Sequence, residues 1–499
     1  MSLINVNNLT FAYDGSYDNI FERVSFQLDT DWKLGFIGRN GRGKTTFLRL
    51  LTGQYKYTGT ISAKVKFSYF PFSVEDENQL TLDIVDQLLP CYAYWQLSRE
   101  LNYLETSDEV LYRPFNTLSK GEQTKVLLAA LFLRENNFLL IDEPTNHLDS
   151  HARQVVSNYL KKKKGFILVS HDRAFLDNCI DHVLVINRSD IQVQKGNFST
   201  WQHNKMLQDN FEAAEQEKLI REIKSMEAAA RRSARWSDTI EKRKVRGTGG
   251  DSGVKPDKGH IGRQAAKMMK RAKSAENRKQ KAINEKAGLL KNVERTDILK
   301  LHPLQFHTDP LLTLDDISIC YPSSPPVCSG LHITLNRGDR IALTGSNGCG
   351  KSSILKLILG QHIPHTGTIR IPAGLRISYV PQDTGQLSGS LNHFAVERNI
   401  DETLLKTILR KLDFERVQFE KPMEDYSGGQ KKKVLIAASL CEEAHLYIWD
   451  EPLNFIDVLS RIQIEQLLLT YTPTILFVEH DQTFCEHIAT HKIDLTNPK

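Results

Sequence analysis

The sequence predicts an α/β protein built from two tandem copies of one phosphate-binding unit, joined by a long α-helical hairpin. Three observations carry this. A glycine-rich pattern followed by Lys and Ser or Thr occurs twice, each time between a strand-like and a helix-like run. Further motifs repeat after it at a nearly constant offset: 307 residues from Lys44 to Lys351, 308 from Glu122 to Gln430 and 309 from His171 to His480. Between the copies lies a basic stretch with few strand formers. The expected boundaries are 1–200, 201–305 and 306–499, with the hairpin tip at 246–261.

In the first copy, Lys33-Leu34-Gly35-Phe36-Ile37 reads as a buried strand leading into Gly38-Arg39-Asn40-Gly41-Arg42-Gly43-Lys44-Thr45 and then the apolar-periodic run Phe47-Leu48-Arg49-Leu50-Leu51. Glycines let backbone N–H groups close around phosphates, and the following helix N-terminus adds partial positive charge. Lys44 is expected to reach the β/γ-phosphates, and Thr45 to hold Mg²⁺. Downstream, the apolar strand Phe138-Leu139-Leu140-Ile141 ends in Asp142 and Glu143. Two buried carboxylates without a ligand are costly. Asp142 is therefore expected in the Mg²⁺ shell, and Glu143 as the group that polarises an attacking water. A second buried strand, Phe166-Ile167-Leu168-Val169, ends near His171, a candidate γ-phosphate contact.

The second copy supplies the same parts: the loop Gly345-Ser346-Asn347-Gly348-Cys349-Gly350-Lys351-Ser352, the carboxylate pair Asp450-Glu451 and the strand-end His480.

The connector differs in charge. Residues 201–300 hold 25 Lys and Arg against 14 Asp and Glu, a net of +11; the rest holds 40 against 46, a net of −6. Concentrated positive charge is the footprint of a nucleic-acid-binding arm. Residues 204–244 contain neither Pro nor Gly and favour a helix, 246–261 are broken by Gly and Pro, and a second helical run follows over 263–293. A helix of about 40 residues would carry its tip about 60 Å. The candidate RNA contacts are Arg231, Arg232, Arg235, Lys242, Arg243, Lys244, Lys255, His260, Lys267, Lys270 and Arg271.

Composition bounds the rest. At 40% hydrophobic and 25% charged, the chain reads as globular. No apolar run reaches the roughly 18 residues of a membrane helix. The start lacks a signal-peptide pattern, and the seven Cys form no CxxC pair, which fits a reducing cytoplasm.

Leu118-Ser119-Lys120-Gly121-Glu122-Gln123 resembles the LSGGQ signature of ATP-binding-cassette (ABC) proteins, and Tyr426-Ser427-Gly428-Gly429-Gln430 repeats it. Asp142-Glu143-Pro144-Thr145-Asn146-His147-Leu148-Asp149 resembles the sequence typical of the ABC-F branch. The resemblance covers nearly the whole chain. It implies an ATPase using ATP and Mg²⁺, in which the signature of one cassette caps the ATP of the other. For the first site it implies Tyr13, Gly38, Asn40, Gly41, Gly43, Lys44, Thr45 and Thr46, capped by Ser427, Gly428, Gly429 and Gln430. For the second it implies Tyr321, Gly345, Asn347, Gly348, Gly350, Lys351, Ser352, Ser353 and Gln382, capped by Ser119, Gly121 and Glu122. The implied metal ligands are Thr45, Asp142, Ser352, Gln382 and Asp450; the implied catalytic residues are Glu143, Glu451, His171 and His480.

The copies are unequal. Gln382 in Tyr379-Val380-Pro381-Gln382 matches the family's Q-loop glutamine, whereas Tyr69-Phe70-Pro71-Phe72 puts Phe72 there, and Lys120 replaces a signature glycine. Equal turnover at the two sites is therefore not expected. More narrowly, Gly196-Asn197-Phe198 and Gly262-Arg263-Gln264-Ala265-Ala266-Lys267-Met268-Met269-Lys270-Arg271 resemble the Lsa-type antibiotic-resistance branch. That resemblance implies a cytoplasmic, monomeric protein on the bacterial 70S ribosome near the tRNA exit site, with 23S rRNA and P-site tRNA as neighbours. Its linker would protect the peptidyl-transferase centre from lincosamides, streptogramin A and pleuromutilins; neither membrane nor DNA is an expected partner. The rivals are a housekeeping ABC-F translation factor and, further off, a transporter ATPase or a DNA-repair or chromosome-structuring ATPase.

Overall fold

The computed structural model describes residues 2–13, 19–72, 74–89, 91–134, 137–146, 148–186, 191–212, 299–321, 327–346 and 348–495, with residues 214, 215, 217, 218, 221, 263, 267, 270, 273, 274, 277, 278 and 281 between them. The chain divides into two compact units, residues 1–201 with 296–499, and residues 202–295.

The first unit holds both cassettes. In the first, β1 (Leu3–Phe11), β2 (Phe21–Asp29) and β4 (Thr58–Ser62) form an antiparallel sheet in the order β2-β1-β4. A second sheet takes β3 (Lys33–Ile37), β5 (Lys66–Phe70), β6 (Asn137–Asp142), β7 (Phe166–Val169), β8 (His182–Ile186) and β9 (Ile191–Lys195) in the order β5-β6-β7-β3-β8-β9. It is parallel except for β9, which pairs antiparallel with β8. All four residues of β7 are buried, as a strand covered on both faces requires.

The second cassette repeats the plan. β10 (Leu312–Ile319), β11 (Cys328–Leu335) and β13 (His365–Arg370) are antiparallel in the order β11-β10-β13. β12 (Arg340–Thr344), β14 (Ile377–Val380), β15 (Leu446–Asp450), β16 (Ile475–Val478) and β17 (His491–Asp494) form a parallel sheet in the order β14-β15-β16-β12-β17.

This strand order builds the sites. β6, β7 and β3 are neighbours, so the carboxylate pair after β6, His171 after β7 and the phosphate loop after β3 converge at one sheet edge. Crevices outside the carboxyl ends of parallel strands are where such sheets bind ligands. The phosphate-loop helices Lys44–Leu51 and Lys351–Ile358 start directly after Gly43 and Gly350, whose φ of 91° suits glycine. The signature helices Lys120–Phe132 and Gly428–Cys441 begin at Ser119 and Ser427, each in a reciprocal cap with Glu122 or Gln430. Such caps contribute about 0.5–2 kcal/mol each.

The cassettes share apolar surface. Val458 of the helix Val458–Tyr471 is part of the core of the first cassette, and Leu459 and Ile462 pack against it. Leu299 and Leu301 lie in the core of the second cassette, inside the span assigned to the linker from sequence.

In the second unit, residues 202–212 and the further described positions are helical. Lys205–Asp209 at 3.5 Å and Arg221–Glu217 at 3.1 Å are i,i+4 pairs that fit a solvated helix. Lys267 and Lys270 are helical and exposed. The other candidate RNA contacts, namely Arg231, Arg232, Arg235, Lys242, Arg243, Lys244, Lys255, His260 and Arg271, lie outside the described residues, as does the whole tip.

Candidate functional site

Two nucleotide sites are assembled between the cassettes, each from the phosphate loop of one and the signature of the other. In the first, Lys44 Nζ donates to Gly38 O at 2.6 Å, to Arg39 O at 3.4 Å and to Asn40 Oδ1 at 3.3 Å. Burial pulls its pKa down, against the opposing charges of Asp457, Glu143 and Asp142. In the second, Lys351 Nζ donates to Gly345 O at 2.8 Å and to Ser346 O at 2.9 Å. Both ammonium groups point into their own loops, where phosphate oxygens would exchange for carbonyls.

Thr45 Oγ1 donates to Asp142 Oδ2 at 2.8 Å, and Tyr69 donates to the same oxygen at 2.9 Å. Ser352 likewise donates to Asp450, whose Oδ1 is buried without a hydrogen-bond partner among the described residues. Every donor here is an oxygen, which suits Mg²⁺. No cluster of three or more His, Cys, Asp or Glu able to hold a metal exists among the described residues, so a cation here would need phosphate oxygens as well.

The carboxylates after Asp142 and Asp450 sit on strained backbone. Glu143 has φ 50° and Glu451 φ 46°, rare for non-glycine residues and typical of functional sites. The turns are fixed by Glu143 N donating to Val169 O at 2.9 Å and Glu451 N to Val478 O at 3.0 Å. His171 Nε2 lies 3.3 Å from Glu143 Oε1, and His480 Nε2 lies 3.5 Å from Glu451 Oε1.

Electrostatics divides the pair. Burial, with the neighbouring Asp142 charge, lifts the Glu143 carboxyl to about 8, and Oε1 has no hydrogen-bond partner among the described residues. Burial and the Lys44 charge hold His171 well below its ordinary range. At Glu451 burial also acts upward, but hydrogen bonds from His480, Gln382 and Asn454, with the His480 charge, take it down to about 2. Asn454 Nδ2 is 2.5 Å from Glu451 Oε2. Phe72 offers no such donor: it packs on the first core under the Arg134 guanidinium, 4.6 Å from its ring.

The opposing signatures are engaged differently. A cleft of ≈ 830 Å³ is bounded by Ser119, Lys120, Gly121 and Glu122 on one side and by Lys351, Ser352, Gln382, Glu451 and His480 on the other. Cleft volumes of this order suit nucleotide-sized ligands. At the first site the parts are pressed together: Asn40 Nδ2 donates to Phe455 O at 2.7 Å, and a Cβ on Gly429 would stand 2.6 Å from that oxygen and 3.1 Å from Asn40 Nδ2. Arg42 adds a 3.4 Å contact to Asp413. Tyr13 OH meets Thr46 Oγ1 at 2.7 Å and Tyr321 OH meets Ser353 Oγ at 2.9 Å, which puts each half-exposed ring beside its phosphate-loop helix. The side chains of Glu122 and Gln430 turn back to accept from Ser119 N and Ser427 N, so toward a nucleotide they offer only what those caps leave free. Asn347 lies outside the described residues.

Sequence reasoning missed several contacts. Lys433 reaches Asp457 at 3.0 Å with both side chains buried, and Arg173 bridges the cassettes to Glu465 at 2.7 Å. Lys432 is buried against three carbonyls. Comparing the copies at the 308-residue offset would have flagged Lys432, which stands where the first copy has Thr124.

Two phosphate loops, two carboxylate pairs and two opposed signatures define a tandem P-loop ATPase. The sequence description of the ABC transporter family matches residues 21–146 and 328–454, just over half of the chain, and the chain belongs to that family. It is similar to the ribosome protection protein VmlR of Bacillus subtilis (strain 168), 27% identical over 97% of this chain and 86% of that protein. It is also similar to the ATP-binding protein Uup of Buchnera aphidicola subsp. Acyrthosiphon pisum (strain APS), 26% identical over 98% of this chain and 80% of that one. Among solved structures, archaeal ribosome recycling factor aABCE1, crystallised with the ribosomal stalk protein aP1, shares the fold with a TM-score of 0.61 and 18% identity, over 98% of this chain and 87% of that one. No described helix is long and apolar enough to cross a membrane.

Proposed function

We infer that this ATPase is an ABC-F protein, of the Lsa-type resistance branch, that binds the bacterial 70S ribosome near the tRNA exit site. In this reading it uses its linker to protect the peptidyl-transferase centre from lincosamide, streptogramin A and pleuromutilin drugs. One observation carries the reading: a net charge of +11 concentrated in residues 201–300, inserted between two cassettes that otherwise net −6. Phosphate backbones reward such a segment through counterion release. The likeness to a ribosome protection protein over 97% of the chain supports the same reading. A housekeeping translation factor of the same architecture is the alternative.

In the proposed cycle ATP joins each phosphate loop to the opposing signature. Lys44 and Lys351 bind the phosphates, and His171 and His480 meet the γ-phosphate. Glu143 and Glu451 orient and polarise the attacking water. Thr45 with Asp142, and Ser352 with Gln382 and Asp450, would hold Mg²⁺, which neutralises phosphate charge when bound. Closure sets the linker against RNA, and hydrolysis releases it, a shift driven by the higher affinity of ATP for the closed form. The test is gene deletion and complementation across several ribosome-targeting drugs, with co-sedimentation on ribosomes. ATP-dependent sedimentation with restored drug tolerance is expected; sedimentation without any change in tolerance would favour the housekeeping factor.

A further inference from the structure

In the second cassette two segments of the hydrolytic site meet on one buried cation. Lys432 lies in the signature helix and is 1% exposed. Its Nζ donates to Pro381 O at 2.8 Å, to Gln382 O at 3.3 Å and to Asp450 O at 3.2 Å. An ammonium has three donors, and here all three have carbonyl acceptors. Those acceptors belong to the Q-loop and to the end of β15. The same two segments present the Gln382 amide to Glu451 and the Asp450 carboxylate to Ser352. β14 and β15 pair as far as Val380 and Trp449, and just beyond that last pair this one side chain ties the backbone that carries Gln382 to the backbone that carries Asp450 and Glu451.

The duplication supplies an internal comparison. At the equivalent position the first cassette has Thr124, whose hydroxyl donates to Lys120 O of its own helix at 2.9 Å. Phe72 replaces the glutamine. In place of the brace is a cavity of ≈ 470 Å³, lined among others by Thr45, Phe72, Thr124, Asp142 and Glu143. The first cassette keeps the strand pairing through Phe70 and Ile141, but among the described residues Thr124 gives no clamp from the signature helix to these segments such as Lys432 gives in the second.

We propose that Lys432 is a positioning residue for ATP hydrolysis: by clamping the Gln382 and Asp450 backbones together, it makes the Lys351 site the faster of the two. The proposal rests on the assignment of Gln382, Asp450 and Glu451 to hydrolysis at that site. With its three donors on main-chain carbonyls, Lys432 has none left to offer ATP or the attacking water. Its loss should act on kcat through the geometry of Gln382 and Glu451, with little effect on nucleotide affinity. Misplacing catalytic groups by about 1 Å can cost on the order of 100-fold in rate.

The test uses the full chain and four variants: Glu451→Gln, Lys432→Met, Lys432→Thr, and Phe72→Gln with Thr124→Lys in the Glu451→Gln background. Steady-state ATPase gives kcat and KM, and a fluorescent ATP analogue gives affinity. Lys432→Met and Lys432→Thr should lower kcat by about 10-fold or more while KM and analogue affinity stay within about 3-fold, a pattern expected when only transition-state interactions are lost. Phe72→Gln with Thr124→Lys should raise single-turnover hydrolysis above that of Glu451→Gln alone. If Glu451→Gln abolishes most turnover but Lys432→Met stays within about two-fold of wild type, the role of Lys432 is overturned. If Glu451→Gln itself retains full turnover, the assignment beneath the proposal fails instead. Should the Lys432 variants not fold, the double substitution in the first cassette decides, and no gain there refutes the brace.

Discussion

Asn40 and Phe455 join the two cassettes directly: the amide of Asn40, in the first phosphate loop, donates at 2.7 Å to the main-chain carbonyl of Phe455, on the loop after Glu451. Gly429 lies against the same carbonyl, with no room for a side chain. At the Lys44 site this contact brings the phosphate loop against the opposing signature, and a cleft of ≈ 830 Å³ lies between the second phosphate loop and its signature. Gly429→Ala should therefore weaken closure at the Lys44 site, with overpacking of about 1–3 kcal/mol. Distances between labels on the two cassettes should lengthen in ATP relative to wild type. An unchanged distance distribution would contradict the reading of Asn40 and Phe455 as a latch.

Glu143→Gln with Glu451→Gln preserves size and hydrogen bonding but removes both groups assigned to polarise water. Turnover should fall by about 100-fold or more, since positioned general bases contribute that much, while ATP binding persists. Near-normal turnover in the purified double variant would remove both residues from the chemistry.

The single variants should differ. Glu451 receives hydrogen bonds from Gln382, Asn454 and His480, whereas Phe72 denies Glu143 the first of these. Glu451→Gln is expected to cost more of the total turnover than Glu143→Gln. Single-turnover assays on each variant check the order, and a larger loss from Glu143→Gln would reverse it.

Arg173 and Glu465 form a buried pair across the cassettes at 2.7 Å, with His487 also on Glu465 at 2.5 Å. Arg173→Met leaves a buried carboxylate short of a cation, so stability should fall by about 3 kcal/mol, the low end for breaking such pairs because His487 remains. Arg173→Met with Glu465→Leu should recover much of that loss in chemical denaturation. Equal losses in the single and double variants would show that the pair does not couple the cassettes.

Much of this was legible because local rules decide it. The strand at 33–37, the helix after Lys44 and the strands before Asp142 and His171 follow from apolar runs bounded by glycine loops and carboxylates, and they occur where expected. Which parts converge was legible only from the family resemblance, because strand order is set by long-range packing. Lys432 was not legible from its own segment. In Gln430-Lys431-Lys432-Lys433 it reads as one of three solvated lysines, and only the fold shows that it and Lys433 are buried while Lys431 is not. The pKa contrast between Glu143 and Glu451 was hidden for the same reason: both sit in the same motif, and their surroundings come from distant segments.

In the proposed function the linker separates binding from protection. Its flanks carry Arg231, Arg232, Arg235, Lys242, Arg243 and Lys244 before the tip, and Lys267, Lys270, Arg271 and Lys273 after it. Charges that meet RNA phosphates release counterions, so their contribution falls as salt rises. The tip at 246–261 has Val254, Lys255, Pro256, His260 and Ile261 but no Phe, Tyr or Trp. Without an aromatic ring it has no stacking platform for a base or a drug of the kind single-stranded RNA readers use, so it should act by displacing or reshaping neighbouring RNA. Neutralising three or four flank residues should weaken ribosome co-sedimentation, with a shallower salt dependence than wild type. Shortening the tip by several residues should leave ATPase turnover and sedimentation within about two-fold, because neither the cassettes nor the phosphate contacts change, while drug tolerance in complemented cells is lost. A tip-shortened protein that still binds ribosomes and still protects cells fully would end this division of labour, and the flanks alone would then have to account for protection.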